Sequence, residues 1–388
     1  MQRIIVVGAC AAGVTAAETL REEGFAGELI LIGDELHPGY DRPPLSKKVL
    51  LGEASADELQ LRAPSELSAL GIELRYGVRA TRLDVQAHTL ELSDGQQLSY
   101  DGLIIATGLT PRELPVPPGV SGVHTLRTLE DALALRQQLT PSARVLVVGA
   151  GFLGCEIAAT ARQLGAQVTL LDTLELPLLR QLGGTLGAAI QQLQQRHGVH
   201  FLGNAGVARF TSEGGRVSGA ILSNGEKLQA DVVVVAIGSM PGVQWLQGSG
   251  LDLDNGIVCD RFCRAGDGVY AAGDVANWFH PGYQEQIRLE HRMNATEQGM
   301  AAARNLLGAQ VPFEPIPYFW TDLYDVKIQG YGRIAAGAEL KVLTGEPGLP
   351  GFTGEFVREG KVSAVVGWNA PRELRQARGR VNQIETTA

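Results

Sequence analysis

The chain has 388 residues, of which 45% are hydrophobic, 19% charged and 6% aromatic, and its formal net charge is −9. This composition indicates a folded globular protein of two or three domains and excludes a disordered, collagen-like or disulfide-scaffold chain. The acidic total argues against a nucleic-acid partner, and no apolar run reaches the ~18 residues that a membrane span requires.

Cysteine usage and the N-terminus bear on the cellular compartment. The four cysteines, Cys10, Cys155, Cys259 and Cys263, are too few for a secreted disulfide framework and lack the spacing of a metal finger. Arg3 is followed at once by an apolar strand pattern, which leaves no room for a targeting segment. We therefore expect a soluble protein of the reducing cytoplasm that has no membrane association and no metal site.

The first predicted element is a buried β-strand that runs into a glycine turn. Residues 3–13 read RIIVVGACAAG, and a second apolar strand over residues 29–32 leads to Asp34 and Glu35. This order is typical of a dinucleotide-binding βαβ unit, in which the pyrophosphate lies against the turn and an acidic residue binds a ribose hydroxyl. Cys10 replaces the second glycine of this pattern, and we expect its thiol to fill a tight turn rather than to react.

A second unit of the same kind follows. Residues 144–154 read RVLVVGAGFLG, and the strand after them ends at Asp172. The short patterns LIIATG (103–108) and VVVAIG (233–238) repeat as well, so the chain contains two similar domains. Asp172 predicts a preference for NADH over NADPH, because a carboxylate binds the ribose 2′-hydroxyl and repels a 2′-phosphate. Arg180, a few residues further on, leaves some use of NADPH open.

Four further motifs extend the pattern: GYDRPPLSK (39–47), ATG (106–108), GVYAAGDVA (268–276) and EHRMNATEQG (290–299). Together they resemble the FAD-dependent, NADH-linked ferredoxin reductases, the family of putidaredoxin reductase and rubredoxin reductase. That family serves bacterial ring-hydroxylating dioxygenases and haem monooxygenases. It belongs to the pyridine nucleotide-disulfide oxidoreductase superfamily but lacks the redox disulfide. The similarity runs from residue 3 to about residue 370.

The resemblance implies an α/β fold with two Rossmann-like domains of the glutathione reductase type and a small α+β C-terminal domain. FAD would be bound by a discontinuous domain, residues 1–110 and 244–312. NADH would be bound by residues 111–243, and residues 313–388 would form an interface domain. The proline-rich stretch PFEPIP at 312–317 marks a boundary independently, because proline neither continues a helix nor donates to a sheet.

The resemblance also implies roles for individual residues. Lys47 and Glu156 would form a catalytic pair, since a buried lysine needs a partner and a cation near the flavin stabilises negative charge on it. Phe152 would either cover the flavin or pack on the sheet. The predicted cofactor-binding residues are Gly8, Cys10, Ala12, Gly13, Asp34, Glu35, Arg42, Lys47, Ala80, Ala106, Thr107, Gly108, Arg127, Gly149, Gly151, Phe152, Leu153, Gly154, Glu156, Asp172, Arg180, Gly238, Gly273, Asp274 and Trp320.

The cysteines indicate the route of the electrons. Disulfide reductases of this superfamily carry a cysteine pair just after the first βαβ unit, but residues 34–64 contain no cysteine. The acceptor must therefore take electrons from the flavin directly, and we expect a ferredoxin that feeds an oxygenase. An NADH oxidase, a rubredoxin reductase and a signalling protein like apoptosis-inducing factor remain alternatives.

The partner surface is predicted from local charge, because the whole chain is acidic, as ferredoxins are. Arg372, Arg375 and Arg378 are spaced to share one helical face. We expect this face, with residues 313–330, to meet the ferredoxin; the alternative is a solvated terminal helix. Thr321-Asp-Leu323 departs from the family's usual Ser-Asp-Gln, and His291 is expected to be structural. The oligomeric state is expected to be monomer or homodimer.

Overall fold

The computed structural model describes residues 1–382, and its N-terminal part is a βαβ unit with an antiparallel excursion. The elements of this part are β1 (Arg3–Val7), α1 (Ala11–Glu22), β2 (Glu28–Gly33), α2 (Pro64–Ala69), β3 (Ile72–Tyr76), β4 (Ala80–Asp84), β5 (Thr89–Leu92), β6 (Gln97–Ser99), β7 (Gly102–Ile105) and β8 (Leu109–Pro111). A π-helical turn spans Leu45–Val49.

The middle part repeats that order. Its elements are β9 (Val123–His124), α3 (Leu129–Gln138), β10 (Arg144–Val148), α4 (Phe152–Gln163), β11 (Gln167–Leu171), α5 (Leu179–Arg196), β12 (His200–Leu202), β13 (Val207–Glu213), β14 (Arg216–Leu222), β15 (Lys227–Gln229), β16 (Val232–Val235) and β17 (Ser239–Pro241). Helix α5 is kinked at Gly183, whose φ is 74°.

The last part contains two further groups of elements. The first group is β18 (Ile257–Cys259), β19 (Arg264–Gly266), β20 (Val269–Ala271), β21 (Ala276–His280), β22 (Glu285–Ile287) and α6 (Arg292–Leu306). The second group is β23 (Tyr318–Leu323), β24 (Val326–Gly332), β25 (Glu339–Thr344), β26 (Phe352–Arg358), β27 (Lys361–Trp368) and α7 (Pro371–Ala377).

The two large sheets, which are parallel except for the antiparallel pair of β19 with β20, are built in the same way around buried apolar strands. The first has the strand order β19-β20-β7-β1-β2-β3, and the second has the order β12-β11-β10-β16-β9. In each, the strand that precedes the glycine turn lies in the middle and is buried along nearly its whole length. Since β19 and β20 join the first sheet after the second is complete, the first sheet is formed by two separate segments of the chain.

The chain passes between these two units at adjacent positions. Strand β8 leaves the first unit and strand β17 returns to it, and the two pair antiparallel, with Thr110 opposite Met240. The predicted boundary at residue 110 falls within β8, and the one at residue 243 lies two residues after β17. Which cofactor each unit binds stays a prediction.

The C-terminal strands form a separate antiparallel sheet of order β23-β24-β27-β26-β25. Its buried side chains share a core with helices α4 and α5 of the second unit, and Leu323, Ile328, Phe352 and Trp368 belong to that core. Strand β23 therefore lies against α4, the helix that follows the second glycine turn.

Candidate functional site

A single large cavity connects the two glycine turns. It has a volume of about 1330 Å³ and extends from the first turn, past strand β23, to the second turn. Most of the predicted cofactor-binding residues line it, namely Gly8, Cys10, Ala12, Asp34, Glu35, Arg42, Lys47, Ala80, Ala106, Thr107, Gly108, Arg127, Gly149, Gly151, Phe152, Leu153, Glu156, Asp172, Arg180, Gly238, Gly273, Asp274 and Trp320.

The two glycine turns have the same geometry. Gly8 has a φ of 111°, and a Cβ there would lie 2.2 Å from the carbonyl oxygen of Ala106. Gly149 has a φ of 102°, and its Cβ would lie 2.3 Å from the carbonyl oxygen of Ala236. Only glycine fits such a position, so each turn brings bare backbone to the cavity at the N-terminus of a helix.

Gly13 and Gly154, which are also among the predicted cofactor-binding residues, lie where each helix meets its strand. Neither residue belongs to the cavity wall. A Cβ on Gly13 would lie 1.8 Å from the carbonyl oxygen of Gly8, and one on Gly154 would lie 1.8 Å from that of Gly149. These glycines let each helix pack against the end of its strand, and their contact with the cofactors stays a prediction.

Cys10 is accommodated because its position in the turn needs no positive φ. It is the N-cap of α1 with φ −117° and ψ −158°, and its Sγ donates to the carbonyl oxygen of Tyr40 at 3.2 Å. At the matching position of the second turn, a Cβ on Gly151 would meet only a Gln181 side-chain nitrogen, at 3.9 Å. The thiol therefore fills space beside the turn.

An acidic and basic network follows strand β2. The Glu35 carboxylate accepts from Arg42 at 2.5 Å and from the hydroxyl of Tyr40, which itself accepts from the backbone nitrogen of Leu129 at 3.0 Å. Asp34, in contrast, is half exposed and pairs with Arg79 at the surface. Of the two acids predicted after β2, Glu35 is the one whose carboxylate is held in the cavity wall by hydrogen bonds from Arg42 and Tyr40.

A second pair of opposite charges, Arg127 and Asp274, faces the same part of the cavity. Their closest side-chain atoms are 3.7 Å apart, which is too far for a hydrogen bond. Burial lowers the pKa of Arg127 and raises the pKa of Asp274. The Nε of Arg42, nearby, is buried and has no hydrogen-bond partner among the described residues. The guanidinium N–H groups of Arg127 and the Nε–H of Arg42 are therefore donors beside the first turn that fit the diphosphate of a dinucleotide.

Asp172 lies at the second turn, where it was predicted to bind a ribose. One carboxylate oxygen accepts from the backbone nitrogen of Ala150 at 2.6 Å, and the other accepts from that of Leu174 at 2.9 Å. The half-buried carboxylate is thus fixed by backbone on both sides and lines the cavity. Its negative charge faces the space beside the turn.

Lys47 and Glu156 meet at the centre of the cavity wall. Lys47 Nζ lies 2.9 Å from Glu156 Oε1, and the same carboxylate accepts from the hydroxyls of Ser46 at 2.5 Å and Thr321 at 2.8 Å. Thr160 also donates to the carbonyl oxygen of Ser46 at 2.7 Å. The buried carboxylate therefore joins the π-helical turn, helix α4 and strand β23.

Aromatic side chains line the same cavity as this pair. The rings of Phe152 and Phe319 are 5.5 Å apart, and the ring of His291 lies 5.9 Å from that of Phe319. Trp320 also lines the cavity. Phe152 contacts Phe319 and also lines the cavity. Packing against the protein and covering a bound flavin, the two roles predicted for Phe152, are therefore compatible.

His291 makes the stability of the protein depend on pH. Burial lowers the pKa of His291 to about 4, and its Nδ1 has no hydrogen-bond partner among the described residues. Between pH ~6.5 and ~4 the unfolded state binds a proton that the folded state does not, so stability falls as the pH falls. We expect His291 to contribute about 3 kcal/mol to this loss. Urea unfolding of wild type and His291→Gln over this range measures it, and parallel curves would contradict it.

Some residues of the site were not predicted as such. Ser46 supports Glu156, Phe319 and His291 form the aromatic wall, and Tyr40 holds Glu35. Alternation along β23 contained a signal for one of them, because Phe319 is two residues from Thr321 and thus shares a face of the strand with it. The roles of Ser46 and Tyr40 depend on contacts between distant segments.

The four cysteines form no disulfide within residues 1–382. Burial raises the pKa of Cys155, Cys259 and Cys263. No cluster of three or more potential metal ligands is found within the same residues. Among them, too, no helix has the length and apolar character required to cross a bilayer.

Comparison with known proteins gives the same architecture. Residues 2–299 match the pyridine nucleotide-disulphide oxidoreductase model, and residues 318–386 match the reductase C-terminal model. Rhodocoxin reductase of Rhodococcus erythropolis is 36% identical over 377 residues, which cover 97% of this chain and 88% of that protein. The benzene 1,2-dioxygenase system ferredoxin–NAD(+) reductase subunit of Pseudomonas putida is 37% identical over 374 residues, covering 96% and 90%.

A solved structure agrees with these relatives. In the covalent putidaredoxin reductase–putidaredoxin complex, a chain that is 34% identical superposes with a TM-score of 0.93, covering 97% of this chain and 92% of that one. The predicted resemblance and the predicted fold class are confirmed. The chain belongs to the pyridine nucleotide-disulphide oxidoreductase family, among the ferredoxin–NAD(+) reductases of oxygenase systems.

Proposed function

We propose that the protein is an FAD-containing, NADH-dependent ferredoxin reductase whose ferredoxin feeds an oxygenase. The observation that carries this proposal is the single cavity into which both dinucleotide turns open, with the Lys47–Glu156 pair between them. When bound, FAD supplies the ability to accept two electrons with a hydride and to release them one at a time. The protein supplies binding, orientation and charge.

The first unit is suited to bind FAD and the second to bind NADH. At the first turn, bare backbone at Gly8 and the cations Arg42 and Arg127 provide donors for a diphosphate, and Glu35 provides a carboxylate for a ribose. At the second turn, Gly149 and Asp172 repeat the backbone surface and the carboxylate. The predicted domain boundaries, with FAD on residues 1–110 and 244–312 and NADH on residues 111–243, follow this division.

Lys47 places a positive charge where both units meet. Its side chain is 17% exposed, and the buried Glu156 keeps the ammonium group in position. A fixed cation lowers the energy of negative charge that develops beside it, and it does so without reorganisation at the moment of reaction. We assign Lys47 this electrostatic role and Glu156 the role of holding it.

The electron acceptor is proposed to dock on the outer face of the C-terminal sheet. Three aromatic rings form a row on strands β23 and β24: Trp320 and Tyr318 are 5.8 Å apart, and Tyr318 and Tyr331 are 4.9 Å apart. A cation lies at each end, with Lys327 6.0 Å from the ring centre of Trp320 and Arg378 5.3 Å from that of Tyr331. We call these five residues the docking face.

This face suits an acidic protein. Aromatic rings with cations around them are the residue types that contribute most at protein interfaces, and complementary charge speeds association. Arg372 and Arg375 are exposed on α7, next to Arg378, as the ferredoxin proposal requires. We place the protein in the cytoplasm, where its four free thiols would stay reduced, as a monomer or homodimer.

Steady-state NADH oxidation tests the proposal. We expect a [2Fe–2S] ferredoxin to accelerate NADH consumption at least about tenfold over the rate with oxygen alone, because the docking face brings the acceptor to the cavity. Hydrogen peroxide formation is measured in parallel. Fast NADH consumption that yields peroxide and does not respond to any ferredoxin would instead identify an NADH oxidase.

A further inference from the structure

We infer that Asp322 is a positioning residue that transmits the docking of the electron acceptor to Lys47. This inference rests on the proposed function, because it assumes an acidic partner on the docking face. Asp322 lies on β23 directly opposite Lys327 on β24. It is thus the residue that stands between the exposed cation of the docking face and the cation of the cavity wall.

Four charged groups form a continuous series from the surface to the interior. Lys327 Nζ lies 3.6 Å from Asp322 Oδ1, Asp322 Oδ2 lies 3.8 Å from Lys47 Nζ, and Lys47 Nζ lies 2.9 Å from Glu156 Oε1. The exposed fraction of the side chain falls along the series from 48% for Lys327 through 34% and 17% to 9% for Glu156. The charges alternate in sign, so a change at the outer end alters the balance at the inner end.

The two ends of this series differ in how firmly they are held. Glu156 accepts three hydrogen bonds and is fixed, whereas both contacts of Asp322 with the lysines are longer than a hydrogen bond. Asp322 is therefore shared between Lys47 and Lys327 by charge alone. Because the contact between Lys327 and Asp322 is longer than a hydrogen bond, Lys327 can move away from Asp322 without breaking one.

The direction of the effect follows from Coulomb's law. A carboxylate of an acidic partner that attracts Lys327 removes the positive charge beside Asp322. The negative charge of Asp322 is then no longer offset by Lys327, so the positive potential around Lys47, which Glu156 holds in place, decreases. Negative charge on a reduced cofactor is less stabilised in that state. Docking of the acceptor would thus make the bound FAD a stronger electron donor.

The test uses the FAD-loaded protein and a ferredoxin that wild type reduces, in its redox-inert gallium-substituted form. Two quantities are measured: the dissociation constant of this complex and the midpoint potential of bound FAD with and without it. In wild type, we expect binding to shift the potential to more negative values. Lys327→Gln should weaken binding about fivefold at low salt, since it removes an exposed ion pair with the partner.

Asp322→Asn separates coupling from a merely structural role. We expect ferredoxin binding to be equal or tighter in this variant, because an acidic competitor for Lys327 is lost, while the shift in potential disappears. Lys341→Gln, a matched change at an exposed lysine on β25 of the same sheet, should behave like wild type. The FAD absorbance of each variant verifies that it is folded.

Three results would overturn the inference: no shift in wild type, a wild-type shift in Asp322→Asn, or binding by Asp322→Asn as weak as that by Lys327→Gln. Its failure can be told apart from failure of the proposed function. If wild type reduces no [2Fe–2S] ferredoxin at all, the proposed function is wrong, and the inference falls with it.

Discussion

Replacing Glu156 with alanine is expected to lower the free energy of unfolding by about 3–5 kcal/mol, the usual cost of removing one partner of a buried ion pair. The substitution leaves Lys47, Ser46 and Thr321 without their common acceptor. It also removes the group that holds Lys47 in the cavity wall, so reduction of bound FAD by NADH should slow as well. Urea unfolding of the FAD-loaded protein and stopped-flow absorbance measure the two effects.

Glu91→Ala is the matched control for this change. Glu91 pairs with Arg82 at 3.5 Å, but their side chains are 44% and 68% exposed to solvent, so removal of Glu91 should cost less than about 1 kcal/mol. Glu156→Gln keeps the shape and one acceptor and should recover part of the stability. If Glu156→Ala were as stable as Glu91→Ala, the contact between the π-helical turn, helix α4 and strand β23 would not depend on the Glu156 carboxylate.

Asp172→Asn is expected to reduce the preference for NADH over NADPH by about 2–3 kcal/mol, or roughly 30- to 160-fold in the ratio of the two kcat/KM values. The amide oxygen can still accept from the backbone nitrogen of Ala150, which keeps the side chain at the turn, while the contact with the backbone nitrogen of Leu174 is lost because the amide NH2 cannot accept. Also lost is the negative charge that repels a 2′-phosphate. The measurement is kcat/KM for each coenzyme, with ferredoxin as acceptor.

Glu175→Gln controls for the general loss of negative charge near the second turn. Glu175 is exposed and lies three residues from Asp172, outside the cavity wall. Its substitution should leave the coenzyme ratio within about twofold of wild type, because solvent screens an exposed charge. Equal changes in both variants would mean that the preference reflects overall charge and that Asp172 does not recognise the ribose.

The two turns could be predicted in detail because their geometry depends on local sterics. Gly8 and Gly149 have positive φ values and lie against backbone carbonyl oxygens, which only glycine tolerates. The same reasoning explains why Cys10 is accepted, since its φ is negative. The repeat of strand, turn and helix in the sequence therefore indicated the repeat in the structure.

Contacts between distant segments were beyond local reasoning. The pairing of Lys47 with Glu156 was predicted only through the family resemblance, and nothing in the spacing of the chain indicates that Ser46 and Thr321 complete it. The addition of β19 and β20 to the first sheet likewise depends on packing over long sequence separations. The aromatic row of the docking face is visible only once β23 and β24 are paired in register.

The most direct test of the central claim is an anaerobic two-step stopped-flow experiment. The FAD-loaded protein is mixed first with NADH or NADPH and then with an oxidised [2Fe–2S] ferredoxin, while flavin absorbance is recorded. We predict that NADH bleaches the flavin much faster than NADPH does and that ferredoxin restores the oxidised spectrum. Flavin that NADH fails to bleach, or that ferredoxin fails to reoxidise, would contradict electron flow from NADH through FAD to ferredoxin.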